Sequence, residues 1–266
     1  MKLNNLFVKL FFLIVVACCS AVLPLHAQKA KQLFLLIGQS NMAGRGALDT
    51  TAQPVNTHIF KFSKENKWVP ATDPLHFDKP GAGVGPGLAF AQEISKEDPD
   101  DEIGLIPCAV GGTSISKWQK EAYDTVTKTH PYEDAIQRVR LALKDGTLKG
   151  ILWHQGEGDS GKDRYLQYEA RFDSLYNNLK KDLGLNIDTI PFIVGELGPF
   201  YISKQPRNQG QEIDSVLHSI ANKRPNMACV SAAGLQHRGD TLHFNTASAR
   251  ELGRRYAQAY ERLRAK

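Results

Sequence analysis

The chain has 266 residues, 42% of them apolar and 23% charged, with 33 basic against 28 acidic side chains. That balance suits one globular domain with a continuous core and excludes a disordered or fibrous chain. The formal charge of +5 comes without any basic block, so no nucleic-acid partner is implied.

The N-terminus carries Lys2 and Lys9, an apolar run from Leu10 to Leu23, and then Pro24-Leu25-His26-Ala27 ahead of polar Gln28-Lys29. This is the shape of a secretory signal peptide over residues 1–27, cleaved after Ala27. The run is shorter than the ~20 apolar residues of a bilayer span, so the mature chain is expected to carry no transmembrane segment. A lipoprotein reading competes: Val15-Val16-Ala17-Cys18 resembles a lipobox that would lipidate Cys18, but the apolar residues continuing past Cys18 count against it. Either way the protein is expected to be exported, to a periplasm or beyond the cell. Of the cysteines only Cys108 and Cys229 then remain, each in a short apolar run, and both read as buried small hydrophobes in preference to a disulfide.

Short apolar runs bounded by turn residues recur at Gln32 to Ile37, His58 to Phe62, Ile103 to Val110, Gly150 to His154, Ile190 to Val194 and Met227 to Ser231. These read as strands. Helical stripes lie between them or follow: Tyr132, Ile136, Val139 and Leu143; Phe172, Leu175, Tyr176, Leu179 and Leu183, stopped by Gly184; Ile213, Val216, Leu217 and Ile220; and Ala249, Leu252, Tyr256, Ala259 and Leu263 behind an Asn245-Thr246 cap. Strand and helix alternate without a linker or repeat. A single domain over residues 28–266 is expected, a three-layer α/β/α sandwich around a parallel sheet. Ligands of such sheets gather at the carboxyl ends of the strands. The long loops Ala47 to Thr57 and Ser63 to Gly85 would rim that edge.

Gly38-Gln39-Ser40-Asn41-Met42 begins one residue after the first strand and delivers a hydroxyl to the ligand edge. Alone, such a serine reads better as a helix cap. To act as a nucleophile it needs a histidine base oriented by a carboxylate. Asp240-Thr241-Leu242-His243, just before the last helix, supplies both, but Asp73-Pro74-Leu75-His76 has the same spacing, and topology favours neither. Acyl transfer also needs donors for a developing oxyanion. Gly111-Gly112-Thr113-Ser114 and the Gln155 carboxamide of Trp153-His154-Gln155-Gly156-Glu157 follow two further strands, though each can be an ordinary strand end.

A serine after the first strand, a glycine, a side-chain amide and a late Asp-x-x-His pair, in four sequence blocks, resemble the SGNH hydrolases. Gln155 stands where asparagine is usual in that superfamily. The narrower resemblance is to carbohydrate esterase family 6 and the sialate O-acetylesterase domain. It is carried by Gly38-Gln39-Ser40-Asn41-Met42, Val84-Gly85-Pro86-Gly87, Ile106-Pro107-Cys108-Ala109-Val110-Gly111-Gly112-Thr113, Trp153-His154-Gln155-Gly156-Glu157 and Asp240-Thr241-Leu242-His243.

This resemblance implies a flavodoxin-like sheet and a cofactor-free serine esterase acting on acetylated carbohydrate. Ser40 would be the nucleophile, His243 the general base and acid, and Asp240 the orienting carboxylate. The Ser40 and Gly112 N–H groups and Gln155 would form the oxyanion hole, with Gln39, Asn41, His76 and Glu157 as supporting or substrate-contacting residues. For Glu157, bracing or substrate contact ranks ahead of a triad role. Acetylated xylan is the first substrate implied, partly through the Pro74-Leu75-His76 loop, and O-acetylated sialic acid the second.

Other readings fit less well. An α/β-hydrolase would carry Gly-x-Ser-x-Gly, which Ser40 lacks. His154, Glu157 and Asp159, or His237, Asp240 and His243, do not complete a metal-ligand pattern, so no metal is expected. A non-catalytic carbohydrate-binding protein would be expected to have lost at least one of the reacting groups.

Overall fold

The structure, a computed structural model, describes residues 30–49, 56–204 and 208–265. The expected signal peptide, Cys18 and its lipobox lie outside the described residues.

The chain enters on β1 (Lys31–Gly38), in which Leu33, Phe34, Leu35, Leu36 and Ile37 are all buried. A run apolar on both faces belongs to a strand covered on both sides, and β1 lies at the middle of the sheet. Each such side chain contributes roughly 1.5–3 kcal/mol of burial free energy. One turn of helix, α1 (Ser40–Ala43), follows directly. The sheet continues through β2 (Ile59–Phe62), β3 (Trp68–Pro70), β4 (Ile103–Pro107), β5 (Gly146–His154), β6 (Phe192–Gly195) and β7 (Met227–Val230).

Spatially the seven strands run β3-β2-β4-β1-β5-β6-β7. All pairings are parallel except β2 with β3, where Phe62 faces Trp68 and Phe60 faces Pro70. Without the β2–β3 hairpin, the remaining strands take the flavodoxin-like order 2-1-3-4-5, so the expected sheet is present with a hairpin added at one edge. The segment from Ser63 to Gly85 is thus not all loop: it contributes β3, the antiparallel edge strand.

Helices cover both faces. On one side α2 (Pro86–Ile94) packs against the last helix, α7 (Thr246–Arg264), where Gly253 lets the Pro86 carbonyl approach. On the other lie α3 (Pro131–Ala142), α4 (Tyr168–Leu183) and α6 (Gly210–Asn222), after a short α5 (Pro199–Lys204). The helical stripes read from sequence are the buried faces: Tyr132, Ile136 and Val139; Phe172, Leu175, Tyr176 and Leu179; Ile213, Leu217 and Ile220; Ala249, Leu252, Tyr256 and Ala259. Asn245 caps α7, its side chain accepting the Ser248 N–H at 2.8 Å.

Cys108 is buried and Cys229 half-buried, both as free thiols. Three strands separate the β4 end from β7, roughly 19 Å at ~4.8 Å per strand, far beyond disulfide reach. Among the described residues no helix is long and apolar enough to cross a membrane.

Candidate active site

At the C-terminal end of β1 the backbone is gripped from both sides. The Gly38 carbonyl accepts from Val110 N–H at 3.0 Å, and Gln39 N–H donates to the His154 carbonyl at 2.9 Å. A Cβ on Gly38 would lie 2.1 Å from that carbonyl oxygen, and φ is +129°, so only glycine fits this approach. The turn is therefore clamped between the ends of two neighbouring strands, and it presents Ser40 at the first position of α1.

The second half of the site is a loop that satisfies its own backbone. His237 and Phe244 bridge antiparallel, and Arg238 N–H donates to His243 O at 2.9 Å. Asp240 Oδ1 accepts from the N–H groups of Leu242 at 3.0 Å and His243 at 2.8 Å. Asp240 Oδ2 lies 2.7 Å from His243 Nδ1, and His243 Nε2 lies 3.0 Å from Ser40 Oγ. A carboxylate only accepts, so Nδ1 carries the imidazole proton and bare Nε2 accepts from the serine hydroxyl. Partial desolvation pushes the Asp240 carboxyl up, but the His243 backbone N–H, the His243 ring and the Leu242 N–H together outweigh it and hold the group down at about 2. Asp240 is thus an anion across the physiological range, 38% exposed beside a histidine that is 18% exposed.

The structure therefore brings Ser40, Asp240 and His243 into one hydrogen-bonded row. The competing pair does not join them. His76 is only 4% exposed and lines no part of the cleft around Ser40; burial pushes its imidazole down to about 4. Of the two roles expected for His76, substrate contact is not what its position offers: the ring packs behind the cleft, although Lys79 of the same loop lines it. Its neighbour Asp78 has the visible role, binding the Arg45 guanidinium at 2.7 Å and accepting the Gly111 N–H at 2.8 Å.

The cleft has a volume of about 490 Å³, and its walls include Gln39, Ser40, Gly112, Glu157, Tyr201 and His243. Gly112 has φ +87°, a left-handed conformation that favours glycine. Among the described residues neither the Ser40 N–H nor the Gly112 N–H has a hydrogen-bond acceptor. Lys79 lies close by: its Nζ is 3.5 Å from where a Gly112 Cβ would stand.

Gln155 is not in this cleft. It is fully buried, and its carboxamide nitrogen is committed to Asp159 Oδ2 at 2.7 Å, Gln39 Oε1 at 3.1 Å and Thr113 O at 3.2 Å. The expected direct oxyanion contact from Gln155 is corrected accordingly, since its donors are already used behind the pocket wall.

Asn41 and Glu157 form a second supporting unit. Asn41 Nδ2 donates to Glu157 Oε1 and, at 3.1 Å, to Leu242 O, while Asn41 Oδ1 accepts the Phe244 N–H at 3.2 Å. Asn41 thus holds the backbone on both sides of His243. Burial pushes the Glu157 carboxyl up to about 7 despite these hydrogen bonds. Beneath it, His154 sits fully buried with Nδ1 3.2 Å from Tyr256 OH; Tyr256 donates its own proton to Trp153 O at 2.8 Å. Burial pushes the His154 imidazole down to about 3.

From sequence Asp159 enters only as a candidate metal ligand, although its place four residues after Gln155 puts it within reach of that amide. Nothing in sequence announced the Arg45–Asp78 pair, Lys79 or Tyr201. Among the described residues neither candidate metal set assembles as a ligand group.

Residues 30–262 match the sequence profile of the family described as "Carbohydrate esterase, sialic acid-specific acetylesterase". A curated relative, a probable carbohydrate esterase of Arabidopsis thaliana (At4g34215), is 35% identical over 252 residues, spanning 86% of this chain and 90% of that protein. The X-ray structure of an Arabidopsis thaliana protein superposes with a TM-score of 0.77 at 32% identity, covering 88% of this chain and 98% of that one. NanS gives 0.67 at 18% identity, covering 88% and 98%. A carbohydrate acetylesterase from Xanthomonas citri also gives 0.67, at 20% identity, covering 88% and 57%. The last two are similar in fold.

Proposed function

We propose, because the chain belongs to the sialic acid-specific acetylesterase family of carbohydrate esterases, that it removes O-acetyl groups from carbohydrate through an acyl-enzyme on Ser40. The observation that carries this reading is the row Ser40 Oγ to His243 Nε2 at 3.0 Å and His243 Nδ1 to Asp240 Oδ2 at 2.7 Å.

In this reaction Ser40 Oγ bonds to the acetyl carbonyl carbon while its proton passes to His243 Nε2 and the carbonyl electron pair moves onto oxygen. Asp240 stabilises the resulting imidazolium. The Ser40 and Gly112 N–H groups, free of protein acceptors among the described residues, receive the oxyanion. Collapse breaks the ester bond, and the sugar oxygen leaves with the proton from His243. Water then repeats the cycle on the acetyl-serine, releasing acetate and restoring the hydroxyl.

Acetylated xylan is the first substrate proposed, on the sequence resemblance. An O-acetylated sialic acid is the second; it is favoured by the exposed Lys79 on the cleft wall, since an ammonium suits a sugar bearing a carboxylate. The leader-like N-terminus supports an exported enzyme. Ser40→Ala is expected to abolish acetate release with unchanged thermal unfolding, and a fluorophosphonate is expected to label Ser40 in the wild type. Turnover retained by Ser40→Ala would end the proposal.

A further inference from the structure

Resting on the esterase reading above, we infer that the side-chain donor of the oxyanion hole is Gln39, and that Gln155 and Asp159 act on the reaction only by fixing the Gln39 carboxamide.

The orientation of this amide follows from its partners. The backbone N–H of Gly158 can only donate, and it points at Gln39 at 3.1 Å, so the atom there is the carbonyl oxygen Oε1. The same oxygen accepts from Gln155 Nε2 at 3.1 Å. Gln155 in turn cannot be flipped, because its nitrogen also meets two acceptors, Thr113 O and Asp159 Oδ2. Asp159 Oδ2 is held by the Ile115 N–H at 2.7 Å. A chain of fixed donors and acceptors thus runs from Ile115 through Asp159 and Gln155 to Gln39.

The chain leaves one group unspent. With Oε1 turned inward, the Gln39 NH₂ faces the other way. It has no acceptor among the described residues and opens on the cleft that Gln39 shares with Ser40, Gly112 and His243. A donor held on the residue next to the nucleophile, with its orientation set before substrate arrives, is what stabilises charge developing on a carbonyl oxygen. As the Ser40 Oγ–carbon bond forms and its proton passes to His243, the displaced electron pair would rest on an oxygen facing the Ser40 N–H, the Gly112 N–H and the Gln39 amide.

The test compares wild type, Gln39→Ala and Gln39→Glu at pH 8, measuring kcat and KM for acetate release from 4-nitrophenyl acetate and labelling by fluorophosphonate with intact-mass readout. Glu at position 39 keeps the acceptor for Gly158 and Gln155 but replaces the donor with an oxygen, so it separates chemistry from bracing even where Gln39→Ala folds poorly. Both variants are expected to lose about 10²–10³-fold in kcat with little change in KM. An active wild type labelled on Ser40 beside a Gln39→Glu variant of unchanged kcat overturns this assignment alone. A wild type that cleaves no acetyl ester and takes no label removes the esterase reading and this assignment with it.

Discussion

Asn41 and Phe244, 203 positions apart in sequence, are joined through Asn41 Oδ1, which accepts the Phe244 backbone N–H at 3.2 Å. Because the same side chain also donates to Leu242 O, the residue beside Ser40 holds the loop of His243 from both flanks. The separation of Ser40 and His243 is thereby fixed by one short polar side chain.

Asn41→Ala is therefore expected to act through position. Misplacing a catalytic group by about 1 Å can cost on the order of 10²-fold, so kcat should fall about 10- to 100-fold with KM nearly constant. The variant also takes from buried Glu157 the amide that donates to its Oε1, which should lower stability by roughly 1–3 kcal/mol. Steady-state kinetics beside urea unfolding measures both, and an unchanged kcat would remove the positioning role.

Glu157 makes stability depend on pH in an unusual direction. Its carboxyl rises from 4.5 to about 7 on folding, so the folded protein holds the proton more tightly than the unfolded chain. This group's stabilisation is complete below pH 4.5 and is lost as pH rises to 7. Glu157→Gln removes the titration. Between pH 5 and pH 8 the variant should gain about 2–3 kcal/mol relative to wild type in urea unfolding, and parallel profiles would contradict the buried, proton-holding carboxyl.

His76 titrates in the opposite sense. Folding lowers its pKa from 6.5 to about 4, so the unfolded chain binds the proton more tightly, and stability falls as pH drops from 6.5 towards 4. Asp78, Arg45 and Arg138 surround the ring electrostatically, but burial dominates. His76→Gln should remove this acid sensitivity, so that wild type loses about 2 kcal/mol relative to the variant between pH 6.5 and pH 5. KM should not move, because the ring lies outside the cleft. A raised KM with an unaltered acid profile would restore the substrate-contact reading.

The parts of the fold legible in sequence were those with strong local period. The apolar β1 and the stripes of α3, α4, α6 and α7 declare which faces they bury. The β2–β3 hairpin was not legible, because Trp68-Val69-Pro70 is only three residues long and a proline is tolerated only at such an edge. Helix α2 was not legible either: Pro86-Gly87 at its start hides it, although Pro fits the first helical turn and a Cβ on Gly87 would press on Leu36 and Leu75.

In the site, residue types and chain positions suggested Ser40 and Asp240-Thr241-Leu242-His243, while resemblance chose between the two Asp-x-x-His pairs. Neither could say which way an amide faces. Gln155 and Gln39 carry the same group, and only the acceptors packed around them decide which reaches the cleft. Burial of His76 was equally beyond sequence, because a histidine in a polar loop can face solvent or pack inward with the same neighbours in the chain.

The loop from His237 to Phe244 carries its carboxylate and imidazole on a backbone that closes on itself, so the two travel as a single cassette. Drift of the surrounding scaffold would change how far the cassette stands from the hydroxyl and leave its internal alignment intact. Variation elsewhere in the molecule should therefore alter the spacing between Ser40 and His243 more readily than it parts the Asp240–His243 pair.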